Sequence, residues 1–226
     1  GEVIGTIRGH LLPVLGCVFV PGHSSGENLR GVVQSADWSA LSASRDKSIK
    51  MWDLQSGQLL RTYKGHVGRV LCIAIKAYTE YREGEDPIKM TLVASGSWDR
   101  SCKIWDLESG ELLHDLGGPE ESNTSPNSNG HLNAVTGVSF SPDGSVIATG
   151  SDDETMRLWN VLTGEELKSY QGHDNGITSV DYSANGEYVL TASQDGTLKM
   201  WDTADKGGAE QSFFDKQINS WVKLRS

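Results

Sequence analysis

An all-β fold assembled from four copies of one four-stranded antiparallel unit is what this 226-residue sequence predicts, on two observations. The first is a spacing rule. A Gly-His pair, a Ser or Thr, an Asp and a Trp recur in that order: Gly9-His10 with Ser42, Asp46 and Trp52; Gly65-His66 with Ser95, Asp99 and Trp105. Gly130-His131 follows with Thr149, Asp153 and Trp159, then Gly172-His173 with Thr191, Asp195 and Trp201. In every copy the Ser or Thr lies four residues before the Asp and the Trp six after it. Self-similarity of this kind marks a repeat architecture. The second observation is the pattern inside each copy, where short alternating runs of apolar residues are separated by turn signals.

The third copy shows each element in turn. Val135, Val138 and Phe140 alternate with small or polar residues, which predicts a strand over 134–140. Pro142-Asp143-Gly144 follows; Pro presets φ and Gly accepts φ > 0, so a turn is expected. A second strand is predicted over 146–150, a tight turn at Asp152-Asp153-Glu154, and a third strand over 155–161 carrying Trp159. Thr163-Gly164 turns the chain into a fourth strand over 165–171. The fourth copy repeats this plan with Ser183-Ala184-Asn185-Gly186 as its first turn. Each unit is a meander.

The recurring residues have a physical reason to travel together. A buried Trp needs an acceptor for its indole N–H. A Ser or Thr hydroxyl on the neighbouring strand supplies one, and an imidazole can link that hydroxyl to the turn carboxylate. Each bond adds only ~0.5–1.5 kcal/mol net, but losing one partner strands the others at a larger cost. The set also has the composition of a nucleophilic triad. Four identical copies, each with its own Trp, fit a structural network rather than four active sites. The phosphate-loop and metal-helix motifs G-x-x-x-x-G-K-[ST] and H-E-x-x-H do not occur, so the sequence reads as a non-enzyme with no cofactor and no metal site.

At these residues, with Trp52-Asp53, Trp105-Asp106, Trp201-Asp202 and the variant Trp159-Asn160, the chain resembles the WD40 repeat family, from about residue 1 to residue 202. The resemblance implies a β-propeller, with blades around a central channel. At ~40–45 residues per blade a seven-bladed ring needs about 300 residues, so the chain reads as one propeller segment, 1–226, of a larger ring. Its repeats are placed at about 9–64, 65–116, 130–171 and 172–217. Residues 2–8 read as the outer strand of a preceding blade, 211–217 as that of the last, and 218–224 as the start of another. The rest of the propeller, or a second chain, is then needed to close the ring. The alternative is a half-propeller that associates with itself to cover two sheet edges.

Net charge is −10, which argues against a nucleic-acid or anionic-membrane surface and leaves other proteins or peptides as partners. No apolar run reaches the length of a membrane helix. The cysteines, Cys17, Cys72 and Cys102, are odd in number and lack C-x-x-C spacing; all three are expected in the core of a protein in a reducing compartment, cytoplasmic or nuclear. Repeats one and two carry extra length between their first two strands, at 21–37 and at 76–90, the latter with Tyr78 and Tyr81. A third insertion, 117–129, is nearly devoid of apolar residues and is expected to be mobile.

By the family's habit, partners dock on the face bearing the Gly-His loops. The residue before each network Asp points out there: Arg45, Trp98, Asp152 and Gln194. Those four differ in chemistry while their neighbours are nearly fixed, as a variable surface on a constant frame should. Trp98 is the leading candidate, because a Trp in a polar turn has no core to enter and Trp and Arg are over-represented at hot spots. Arg69 and Arg100 belong to the same blade's loops, suiting an acidic peptide, with Asn133, Asn175 and Glu154 flanking on the next blades. The function read from this is an interaction scaffold within a multisubunit complex. The alternative is a recognition or regulatory module of an enzyme assembly such as a ubiquitin ligase. Ligase-docking family members often carry Arg two places after the Trp-Asp pair; here Gln55, Glu108, Leu162 and Ala204 stand there.

Overall fold

The computed structural model describes residues 1–20, 39–80, 88–117 and 130–203. Among these residues fifteen strands form four antiparallel sheets in chain order. Blade one contains β1 (Val14–Val20), β2 (Ser39–Ser44), β3 (Ser48–Asp53) and β4 (Leu59–Lys64). Blade two contains β5 (Val70–Glu80), β6 (Ile88–Ser97), β7 (Cys102–Asp106) and β8 (Leu112–Leu116). Blade three contains β9 (Val135–Phe140), β10 (Val146–Ser151), β11 (Thr155–Asn160) and β12 (Glu166–Gln171). Blade four contains β13 (Ile177–Tyr182), β14 (Tyr188–Ser193) and β15 (Leu198–Asp202); the outer strand expected over 211–217 lies outside the described residues.

Within each blade, every strand pairs with its neighbours in sequence. The turn signals explain why. At Ser141–Gly144 the Asp143 carboxylate accepts from the Ser141 and Ser145 hydroxyls, and Gly144 takes φ 79°.

Because side chains alternate across a strand, each sheet has two faces, and the core lies between blades rather than inside one. The face turned toward the next blade is called trailing, the opposite one leading. Leu41, Ala43, Ile49 and Met51 of blade one pack on Val70, Val93 and Trp105 of blade two. Leu92, Ala94, Cys102 and Ile104 pack on Val135, Phe140, Ile147 and Trp159. Ala148, Met156 and Leu158 pack on Ile177, Val180 and Val189. Tyr63 stitches the first of these boundaries, its hydroxyl donating to the Leu107 carbonyl at 2.8 Å.

Residues 2–8 are exposed and pair with none of the described sheets. Two expectations need correcting. Most of the expected loop at 76–90 is sheet: β5 and β6 run on as a hairpin in register from Cys72↔Gly96 to Glu80↔Ile88. Residues 76–79, with strand-favouring Tyr78 and Thr79, extend the ladder; Tyr81 lies outside the described residues. Cys17 is exposed, whereas Cys72 is half-buried and Cys102 buried. Cys17 sits on the leading face of blade one, which none of the other three blades covers. The insertions at 21–37 and 118–129 lie outside the described residues.

Candidate functional site

The four Gly-His loops and the four turns between second and third strands lie together at one face, built the same way each time. In blade two, His66 Nδ1 is 2.9 Å from the Asp99 carboxylate and Nε2 is 2.8 Å from Ser95 Oγ, which also takes the Trp105 indole N–H at 2.9 Å. The matching distances are 2.7, 2.7 and 2.7 Å in blade one, 3.0, 2.7 and 2.8 Å in blade three, and 2.8, 2.7 and 2.9 Å in blade four. An ionised carboxylate only accepts, so Nδ1 carries the proton and donates, and the hydroxyl donates to Nε2.

Burial pulls the Asp46, Asp99 and Asp153 carboxyls upward, but hydrogen bonds from their histidines, from Ser48, Ser101 and Thr155, and from nearby backbone N–H groups outweigh it. All three are held well below the usual carboxylate range. At Asp195 the Thr197 hydroxyl contributes most, to the same end. Burial pushes the His131 imidazole below its ordinary value, against the pull of Asp153.

Two further hydroxyls per blade escape the sequence analysis. The Ser or Thr two places after the Asp donates to its Oδ1 at 2.6 Å in all four copies: Ser48, Ser101, Thr155 and Thr197. The Ser two places before it accepts the Asp backbone N–H: Ser44, Ser97, Ser151 and Ser193, at 3.0–3.2 Å. The signal is present as Ser-x-Asp-x-Ser/Thr in every repeat.

This arrangement is unsuited to nucleophilic attack. The Ser95, Thr149 and Thr191 side chains are fully buried, and each hydroxyl is engaged by both imidazole and indole. Among the described residues no group of three or more His, Cys, Asp or Glu could hold a metal ion.

The variable residues stand outside this frame. Each sends its backbone N–H to the adjacent loop: Arg45 to Pro13, Trp98 to Arg69, Asp152 to Ala134, Gln194 to Gly176, all at 2.9–3.0 Å. Arg45, Trp98 and Gln194 are exposed; Trp98 retains 61% of its surface, with the Arg69 guanidinium 5.5 Å from its ring centre. Asp152 is half-buried. The neighbouring blade closes on it, with Gln194 Nε2 at 3.5 Å and Gly176 so near that a Cβ there would meet the carboxylate at 2.8 Å. Burial and then the Asp153 charge raise the Asp152 carboxyl. Residues one place after each Asp, Lys47, Arg100 and Glu154, are exposed and adopt positive φ of 69–71°. Asn133 and Asn175 are exposed but already committed to their loops, each side chain accepting the next backbone N–H at 2.8 Å. The face is polarised. Arg45, Lys47, Arg69 and Arg100 come from blades one and two, Asp152, Glu154 and Asp174 from blades three and four.

The model of the family described as "WD domain, G-beta repeat" matches residues 1–53, 57–106, 124–160 and 164–202. The chain belongs to the WD40 repeat family. WD40 repeats act as non-catalytic scaffolds for protein–protein interaction. Among curated relatives, mitochondrial division protein 1 of Schizosaccharomyces pombe is 33% identical over 132 residues, 54% of this chain and 18% of that protein. Apoptotic protease-activating factor 1 of Rattus norvegicus is 31% identical over 150 residues, 66% of this chain and 10% of that protein. The guanine nucleotide-binding protein subunit beta of Oryza sativa subsp. japonica is 26% identical over 169 residues, 73% and 36% respectively. The chain therefore spans between 10% and 36% of the length of these relatives. Among solved structures, the computationally designed Ika4 protein superposes with a TM-score of 0.61 at 25% identity, over 89% of this chain and 98% of that one. The designed Ika8 protein gives 0.60 at 25% identity, over 87% of this chain and 48% of that one.

Proposed function

We propose that the Gly-His face is a docking platform for a partner protein or peptide within a larger assembly, centred on Trp98. The observation that carries this reading is the contrast at the four turns: one buried frame repeated within a few tenths of an ångström, and exteriors of unrelated chemistry. A mostly exposed Trp with a guanidinium over one side has the composition of an interface anchor. The partner segment facing blades one and two is acidic or aromatic, and its continuation over Asp152 and Glu154 is neutral or basic. Further blades, from the same polypeptide or another chain, complete a ring around this arc.

Quantitative capture from native extract with the parent protein tests the site. Trp98→Ala is expected to lose partners that wild type and Leu162→Ala, altered at the opposite face, retain. Equal recovery by all three would place binding elsewhere.

A further inference from the structure

A second repeated position projects from the Gly-His face. The residue after each network histidine sends its backbone N–H to the turn carboxylate: Leu11 to Asp46, Val67 to Asp99, Leu132 to Asp153 and Asp174 to Asp195, at 2.8–3.1 Å. That bond fixes the backbone against the network and leaves the side chain outside it. Leu11 is 90% exposed, Val67 65% and Leu132 77%. A single exposed aliphatic residue is ordinary. Three at one position on successive blades make a row, and apolar side chains gathered on one polar-rimmed face mark an interaction surface.

The row does not owe its exposure to an end of the chain. Val67 has blades one and three on its two sides, and Leu132 has blades two and four. Residues 118–129, next to Leu132 in the chain, contain no aliphatic or aromatic side chain to lay over it. Charge decides what the row accepts. Arg45, Arg69 and Arg100 are exposed on the same face of blades one and two. At blade four the aliphatic residue gives way to exposed Asp174, with exposed Glu154 on the turn of blade three. Resting on the docking reading above, we infer that the occupant is an amphipathic acidic segment of a partner protein. Its aliphatic side chains lie over Leu11, Val67 and Leu132, its carboxylates meet the arginines, and a basic residue meets Asp174. This order gives the segment one direction across the face, because reversal sets its carboxylates against Asp174.

Panning a phage-displayed library of random peptides on the full-length protein tests this. Enriched peptides are expected to combine aliphatic residues with Asp or Glu and to carry Lys or Arg toward one end. In titrations of labelled copies, Val67→Ser/Leu132→Ser should weaken binding about tenfold or more, the scale of one or two buried aliphatic side chains. Asp174→Lys should weaken it less. All three positions are exposed, so the thermal melt should hold. Enrichment of basic or wholly polar peptides, or of none, would overturn the inference. Trp98→Ala separates it from the docking reading: peptides sensitive to Trp98→Ala but not to Val67→Ser/Leu132→Ser would leave the platform standing and sink the row. Peptides sensitive to the row alone would keep the row and remove Trp98 as its centre. Self-association of wild type that Val67→Ser/Leu132→Ser abolishes would make the occupant a second copy and overturn the acidic partner.

Discussion

Asp99 and Trp98 are neighbours in one turn and live in different worlds. The Asp99 carboxylate accepts from His66, from the Ser101 hydroxyl and from the backbone N–H groups of Val67, Gly68 and Ser101. The Trp98 side chain, one residue earlier, keeps 61% of its surface open to solvent, with the Arg69 guanidinium over its ring. The turns carrying Arg45 and Gln194 repeat the contrast. Residues inside the turn are locked by mutual hydrogen bonding, so changing one leaves several others unsatisfied. Residues outside are free to change because the backbone around them is already determined. A constant frame is thereby what permits a variable surface.

The comparison is broken most severely from inside. Trp105→Ala removes a fully buried ring at the boundary of blades one and two and leaves Ser95 without its indole donor; a loss of ~3–5 kcal/mol in urea unfolding is expected. A result near that of an exposed site would mean the network contributes little.

Acid should act next. Asp99 and Asp153 have lowered folded-state values, so their contribution is present above the ordinary carboxylate value of 3.8 and disappears as pH falls below it. His131 is also lowered: below about 6.5 the unfolded chain takes up a proton that the buried imidazole refuses, so stability declines as pH falls through that value. Denaturation midpoints at pH 7.5, 5.5 and 4 should fall in that order, and a flat profile would contradict the assigned protonation.

A smaller effect separates backbone from contacts. Gly196 holds the left-handed position filled by Lys47, Arg100 and Glu154 elsewhere, at φ 82° and with open space where a Cβ would go. Gly196→Ala should cost ~1 kcal/mol from conformation alone; a neutral result would mean that turn relaxes freely. Least of all, Trp98→Ala should move stability by less than ~1 kcal/mol, the scale of an exposed cation–π contact, while abolishing partner capture. Equal loss of stability and binding would erase the distinction between frame and surface.

Much of this is legible in the sequence because the network is written at fixed separations: His10, Ser42, Asp46 and Trp52 must converge if the other three sets do. The supporting hydroxyls, such as Ser97 and Ser101, are equally periodic, but Ser in a turn is so common that its repetition carries little weight until the carboxylate's partners are seen. Arg69 over Trp98 depends on two loops lying side by side, which spacing along the chain does not state. Exposure of Cys17 was hidden for another reason. Burial of a first-strand residue is decided by the preceding blade, so four identical patterns have different fates.

Sequential pairing of strands has a consequence for synthesis. A blade needs only its own ~40–45 residues to complete its ladder, so at ~5–20 residues per second successive blades leave the ribosome several seconds apart. Through each interval the newest sheet is hydrogen-bonded but bare on its trailing side, with Leu41 and Ile49, then Ala94 and Ile104, waiting for the next to arrive. The apolar faces that later bind the blades together are, for those seconds, the chain's points of vulnerability to misassembly and the surfaces a chaperone would hold.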